Sequence, residues 1–192
     1  MAAARKTTRP PKASAAPPCE HLASLGALAL AARMKRISDA MVQEARGLYR
    51  QLDLDVEPNW YLVFLLLEDG SARSVGELAT ALGFAHPSVL ALTGRMVERG
   101  LLDATGDPRD GRVTLLRLTA RGVKALQQAR PVWDASRRGI EGMLAEVGVD
   151  VLGALDALDA ALARRGFAGR TLDELAATRP AAKTRKTEAK RR

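Results

Sequence analysis

The sequence predicts a mainly α-helical chain that carries one small β-hairpin. Three observations predict it. Apolar residues recur at helical spacing over long stretches near both ends of the chain. In the middle, Ser74, Gly83, Pro87 and Gly100 punctuate two short helical segments. Two β-prone runs, Leu101–Thr105 and Val113–Leu118, flank the turn Gly106-Asp107-Pro108-Arg109-Asp110-Gly111.

From His21 to Leu52 the residues Met34, Ile37, Met41, Ala45, Leu48 and Leu52 fall on one helical stripe. Asp53–Pro58 is a break, because the residue before a proline resists the α region. Asn59 is the expected N-cap of a helix over Trp60–Glu68, and Asp69-Gly70-Ser71 is a turn. Ser74 with Glu77 three residues on is a capping box. The helix it opens has Val75, Leu78, Ala79 and Leu82 as its apolar face and ends at Gly83. Pro87 suits a first helical position, so the next helix covers 87–99 and closes at Gly100. After the hairpin, Thr119 caps a helix expected to run to about Gly139. A last helix spans about Val149–Arg165, with Val151, Leu155, Leu158 and Leu162 as an a/d-like seam. Helix, helix, helix-turn-helix, hairpin, helix, helix reads as a winged helix-turn-helix flanked by long N- and C-terminal helices. Its winged part lies at about 59–122.

Of the 192 residues, 47% are hydrophobic and 4% aromatic, so the chain supports a sizeable, aliphatic core. The net charge of +8 and the pI near 10.2 point to an anionic partner. The charge is uneven. Residues 1–18 hold Arg5, Lys6, Arg9 and Lys12 and no acid, and residues 179–192 hold seven basic residues against Glu188. Both ends read as disordered basic arms, and 19–178 as the folded body. The lone Cys19 excludes an internal disulfide framework and a CxxC zinc site. No apolar run reaches the roughly 18 residues of a membrane-spanning helix, so no membrane partner is expected. No nucleophile–base pair, phosphate loop or metal cluster is visible, so neither catalysis, cofactor nor metal is expected.

In a helix-turn-helix the second helix lies in the major groove of DNA, with its N-terminal residues towards the base edges. The hairpin beside it carries Arg109 and Arg112, and a narrow minor groove attracts arginine. Asp110 and Arg112, two apart on a hairpin, point to one side, so the carboxylate can orient the guanidinium.

Ser74–Gly122 resembles the MarR family of winged-helix regulators. The wing signature Asp-x-Arg-Asp-x-Arg is complete at Asp107, Arg109, Asp110 and Arg112, and Leu-Thr-x-x-Gly at Leu118, Thr119 and Gly122. The resemblance implies a homodimer joined through its terminal helices, binding a pseudo-palindromic double-stranded operator, most often as a repressor. It implies that Arg112 enters a minor groove with Asp110 as its orienting partner. It implies that Ser88, Ala91 and Arg95 face the DNA while Val89, Leu92 and Met96 are buried. It further implies a small, often aromatic or phenolic effector between dimer helices and winged domain, and a place in the bacterial cytoplasm, on the nucleoid when bound. A subset with a similar Glu57–Leu67 segment is fused to an acetyltransferase domain, for which too few residues follow Gly166.

The chain departs from the family at Leu90 and Ala91, where polar or basic residues are usual. Side-chain donors here are His86, Ser88, Thr93 and Arg95, with apolar contact to thymine methyls as a further mode. Gly94 inside this helix implies a close backbone approach. The expected DNA-binding set is therefore His86, Ser88, Ala91, Thr93, Arg95, Arg109, Asp110 and Arg112, with His86 also a candidate helix cap. Two other readings stay open: a dimeric protein-interaction module using Leu90 and Ala91, and non-specific architectural DNA binding through the arms. Trp60, Tyr61 and Trp133 are expected in packing. Cys19 has the family's peroxide-sensing branch as precedent, but CEHLASL does not resemble that branch.

Overall fold

The computed structural model describes residues 19–178. The chain divides into two compact units, one ending at Trp133 and one beginning at Asp134.

The first unit opens with α1 (Glu20–Ser24), a 3₁₀ turn (Gly26–Ala29) and α2 (Leu30–Gln51). The single helix expected from His21 is thus interrupted. Gly26 takes φ +55°, a conformation that ends a helix and costs glycine nothing. At the far end of α2, Leu54 N–H reaches the Tyr49 carbonyl (2.9 Å) and Asp53 sits at φ +53°. A 3₁₀ turn (Pro58–Trp60) then leads into α3 (Tyr61–Leu67), which buries Val63, Phe64 and Leu67. Asn59 does not cap α3 as expected. Pro58 starts the turn one residue earlier, and Trp60 N–H bonds to the Glu57 carbonyl (3.0 Å), leaving Asn59 inside it.

The capping box forms as read: Glu77 N–H donates to Ser74 Oγ (3.2 Å), and Ser74 N–H donates to the Glu77 carboxylate (2.7 Å). It opens α4 (Val75–Leu82), which Gly83 ends in the left-handed region. Next, α5 (His86–Glu98) lies at 118° to α4, within the range of helix-turn-helix pairs. Three strands make one antiparallel sheet in the order β1-β3-β2: β1 (Arg73–Ser74), β2 (Leu102–Gly106) and β3 (Thr114–Leu118). The hairpin strands begin one residue later than predicted. The two-residue β1 is too short to leave a periodicity in the sequence. The core gathers Trp60, Phe64, Leu67, Leu78, Met96, Leu101 and Leu102 from the 3₁₀ turn, α3, α4, α5 and the start of β2.

The helix after the sheet, α6 (Ala120–Val147), runs well past Gly139. Thr119 caps it, accepting from Gly122 N–H (2.9 Å). In the second unit, α7 (Val151–Arg164) is capped by Asp150, which accepts from Gly153 N–H (2.9 Å). An unpredicted α8 (Phe167–Thr178) follows, held to α7 by an Arg165–Asp173 ion pair and by Arg170 donating to the Ala161 carbonyl (2.9 Å). Neither α7 nor α8 has a buried residue. No single helix among the described residues is long and apolar enough to cross a membrane.

Two glycines have opposite environments. A Cβ on Gly122 would collide with the carbonyl of Leu101 and press within 3.2 Å of the Leu118 side chain, whereas one on Gly94 would meet nothing within 4 Å. The close backbone approach expected at Gly94 therefore does not occur within the chain. Gly122→Ala should destabilise the protein by about 1–3 kcal/mol, as overpacking does. Gly94→Ala should stabilise it by up to about 1 kcal/mol through helix propensity. Guanidinium unfolding of both variants checks the opposite signs.

Candidate functional site

The hairpin turn contains two copies of one local device. Asp107 accepts the Arg109 backbone N–H (2.8 Å) and also grips its guanidinium from both carboxylate oxygens (3.2 and 3.0 Å). Asp110 does the same for Arg112, at 3.1 Å from the backbone and 3.1 and 3.2 Å from the guanidinium. In each, a short carboxylate folds onto the backbone two residues ahead and then holds that residue's fork-shaped cation. The turn is closed by Asp107 N–H to the Val113 carbonyl (2.8 Å) and Val113 N–H to the Asp110 carbonyl (2.9 Å). The outcome is two oriented cations in solvent, with the Arg109 and Arg112 side chains 87% and 92% exposed. Asp107 itself is buried. The sequence reading placed Asp110 beside Arg112 and the structure does too. It missed Asp107 as the equivalent partner of Arg109, although the repeated Asp-x-Arg spacing signals it.

On α5 the expected split of faces is present. Val89, Leu92 and Met96 are buried, and Ser88, Ala91 and Arg95 are exposed. Thr93 is a correction. It is buried, and its hydroxyl donates to the Val89 carbonyl (2.9 Å), so it packs inward and is no surface donor. His86 is exposed but is no cap: Ala85 occupies the N-cap position and His86 is the first helical residue.

At its C-terminal end α5 is anchored by ions and an aromatic ring. Arg99 bonds to Asp55 (2.5 Å) and lies 5.8 Å from the Trp60 ring centroid. Asp55 also accepts from Arg121 of α6 (2.9 Å). Partners 44 and 66 residues apart leave no local sequence signal, and this cluster was not foreseen. Arg46 pairs with Glu57 (3.2 Å). Between these groups lies an open cleft of about 410 Å³, lined by Arg46, Glu57, Trp60, Arg95, Glu98 and Arg99. Trp60 is buried, and its indole N–H has no partner among the described residues. Nearby, Trp133 donates to the Tyr49 hydroxyl (2.8 Å) and its ring contacts Tyr61 and Phe64, so these aromatics pack together. Burial holds the Tyr49 hydroxyl above the usual tyrosine range, opposed by the Trp133 hydrogen bond.

A family model for MarR matches residues 54–113. This segment is similar to MarR-family sequence. Over 99 residues the chain is 31% identical to the HTH-type transcriptional repressor IacR of Pseudomonas putida, across 52% of this chain and 58% of IacR. The chain therefore spans less than two thirds of that relative's length. Among solved structures it is similar to S. aureus MepR in a complex with DNA: 19% identity, 70% of this chain and 94% of MepR, TM-score 0.50. It is also similar to the transcriptional repressor CouR bound to a 23-mer DNA duplex: 25% identity, 62% and 92% coverage, TM-score 0.47. The likeness to MepR is one of fold, and the fold is the winged helix. IacR is an HTH-type transcriptional repressor. The MarR match takes in both Asp-x-Arg units and stops before Thr119 and Gly122.

The Arg109 and Arg112 guanidiniums hold the Asp107 and Asp110 carboxyls below the usual carboxylate range, chiefly by side-chain hydrogen bonds. A lowered folded value means that the pairing is fully present above the ordinary aspartate pKa of about 3.9. It is lost only as the pH falls through the lower folded values. Carboxyl ¹³C titration should show both aspartates protonating later than free aspartate on acidification. Arg112→Ala should raise Asp110 towards the ordinary range, with the backbone N–H of residue 112 still holding it somewhat low, and leave Asp107 unchanged; equal recovery at both sites would contradict two independent units.

Proposed function

We propose that this chain is a homodimeric, sequence-specific DNA-binding transcriptional regulator, acting as a repressor under control of a small effector. One observation carries the reading: two solvent-exposed guanidiniums, each fixed by its own carboxylate, on a wing beside a helix-turn-helix. An exposed arginine normally surrenders rotamer entropy of about 2 kcal/mol when it docks. Here the orientation is set beforehand, which suits insertion into a narrow minor groove where the negative potential is strongest. IacR's name as a repressor and the DNA-bound state of MepR support the same role for a chain with this segment and fold.

Dimerisation is supported by apolar side chains that the single chain leaves bare. On α2 these are Met34, Ile37, Met41, Leu48 and Leu52, with Ile37 52% exposed. On α7 and α8 they include Leu155, Leu162, Phe167, Leu172 and Leu175. Stripes of this length are unusual on a monomer and fit a self-complementary two-fold interface. A two-fold dimer reads half-sites about one helical turn apart. Residues 19–178 form the working body, and the basic arms 1–18 and 179–192, outside the described residues, add phosphate contacts of no sequence preference. Such a regulator works in the bacterial cytoplasm, on the nucleoid when bound.

The cleft between α2, the turn before α3, and α5 supports the effector. Its size fits a small molecule. Arg95, without an ion-pair partner among the described residues, and the Trp60 ring supply a cation and an aromatic wall.

Selection of the full chain against a random duplex pool, at near-physiological salt, tests the function. A pseudo-palindromic consensus should emerge, bound orders of magnitude more tightly than scrambled DNA. Arg112→Ala should weaken binding by about tenfold to a hundredfold. A pool that stays unselected, or an Arg112→Ala variant of undiminished affinity, would overturn the proposal. Sedimentation should give a dimer mass for the native chain and a monomer mass for Ile37→Glu. A native monomer would remove the two-fold argument.

A further inference from the structure

We infer that the groove-facing surface of α5 reads thymine 5-methyl groups by apolar contact rather than bases by side-chain hydrogen bonds. This rests on the proposed DNA-binding function and names what the site selects. At 100° per residue, the face opposite the buried Val89, Leu92 and Met96 is occupied by Pro87, Leu90, Ala91 and Gly94 and, in the last turn, Glu98, with the exposed donors His86, Ser88 and Arg95 to its sides. Pro87, Leu90 and Ala91 are exposed and Gly94 half-exposed. None of the four has a side-chain donor or acceptor. Leu90 is 54% exposed in a helix that had a core face available to it. Thr93, the one hydroxyl that could have served from mid-helix, is spent on the Val89 carbonyl.

The shape and the charge around this stripe fit the floor of a major groove. Proline, alanine and glycine make it low, and nothing among the described residues outside its own helix lies within 4 Å of where a Gly94 side chain would project. The helix can therefore lie deeper than one bearing long polar side chains. Exposed cations accompany the stripe, Arg95 on the same helix and Arg109 and Arg112 on the wing, as a surface laid against phosphates requires. The one acid on the exposed face, Glu98, is confined to the C-terminal turn. In the major groove the thymine methyl is the only apolar mark a base pair carries.

The test uses the duplex selected above, with deoxyuridine replacing thymidine inside the half-sites. Uracil pairs as thymine does and lacks only the methyl. Affinity should fall ~4-fold per contacted methyl, the effect of one buried methyl-sized group. Uracil placed outside the half-sites should change nothing. Leu90→Ala should shrink the thymine-to-uracil ratio while the wing contacts persist. Equal binding of the two duplexes would overturn the methyl reading and leave the regulator standing, and so would a half-site whose invariant base is a guanine lost only to Arg95→Ala. A pool without any selected sequence would overturn both.

Discussion

Everything on the functional side of the first unit depends on one close backbone approach. The first turn of α6 lies against the carbonyl of Leu101, where only a glycine at 122 fits. Thr119 completes the joint. Its hydroxyl donates to the Gly100 carbonyl (2.7 Å), its oxygen accepts from Gly122 N–H (2.9 Å), and its own N–H reaches the Leu101 carbonyl (3.1 Å). Gly100 is where α5 ends and Leu101 is where the path to β2 begins. The joint thus sets two things at once: the angle at which α5 leaves the core, and the origin from which the hairpin projects. Leu-Thr-x-x-Gly is a structural motif in this chain, and the residues that meet solvent and partner are aimed by it.

From that origin the wing is rigid for a local reason. A seven-residue turn, Asp107–Val113, with two free arginines would sample many shapes. Two aspartates that each close a backbone turn and hold the cation two residues on replace that freedom with one geometry. The carboxylates reduce the net charge of the wing, which weakens long-range attraction to an anion. They also fix where the guanidiniums point, which matters more at contact, since a groove selects on position.

Signals confined to a few consecutive residues were legible in the sequence. The capping box at Ser74 and Glu77, the left-handed Gly83 and Gly100 and the Asp110–Arg112 pair all follow from spacing, while the buried face of α5 came from the family resemblance. What failed did so because the deciding neighbour was elsewhere or the residue had two options. Thr93 looked like a surface donor by type, but a threonine on the inward side of a helix satisfies itself on the carbonyl four residues back. Asn59 lost the capping position to a proline that began a 3₁₀ turn one residue earlier. The Asp55 cluster joins three parts of the chain that only the tertiary fold brings together. The stretch Leu25–Leu30 held enough leucine and alanine to read as helix, and Gly26 broke it through backbone freedom alone.

The Asp55 cluster gives the proposed effector a physical route to the DNA face. Arg99 stands at the C-terminal end of α5, stacked on Trp60 and bonded to Asp55, which holds Arg121 of α6. Arg95 on α5 and Arg99 at its C-cap both line the cleft. A ligand that engages either cation competes with the contacts that fix this end of the helix, and so redistributes its orientations. The readout stripe lies on the opposite, N-terminal part of the same helix, and a rigid helix transmits a tilt at one end to the other. Coupling of this kind is reciprocal: whatever factor the ligand takes from DNA affinity, DNA must take from ligand affinity. Under the proposed function the cleft would need no contact with DNA to control it, only a share in the residues that set the position of α5.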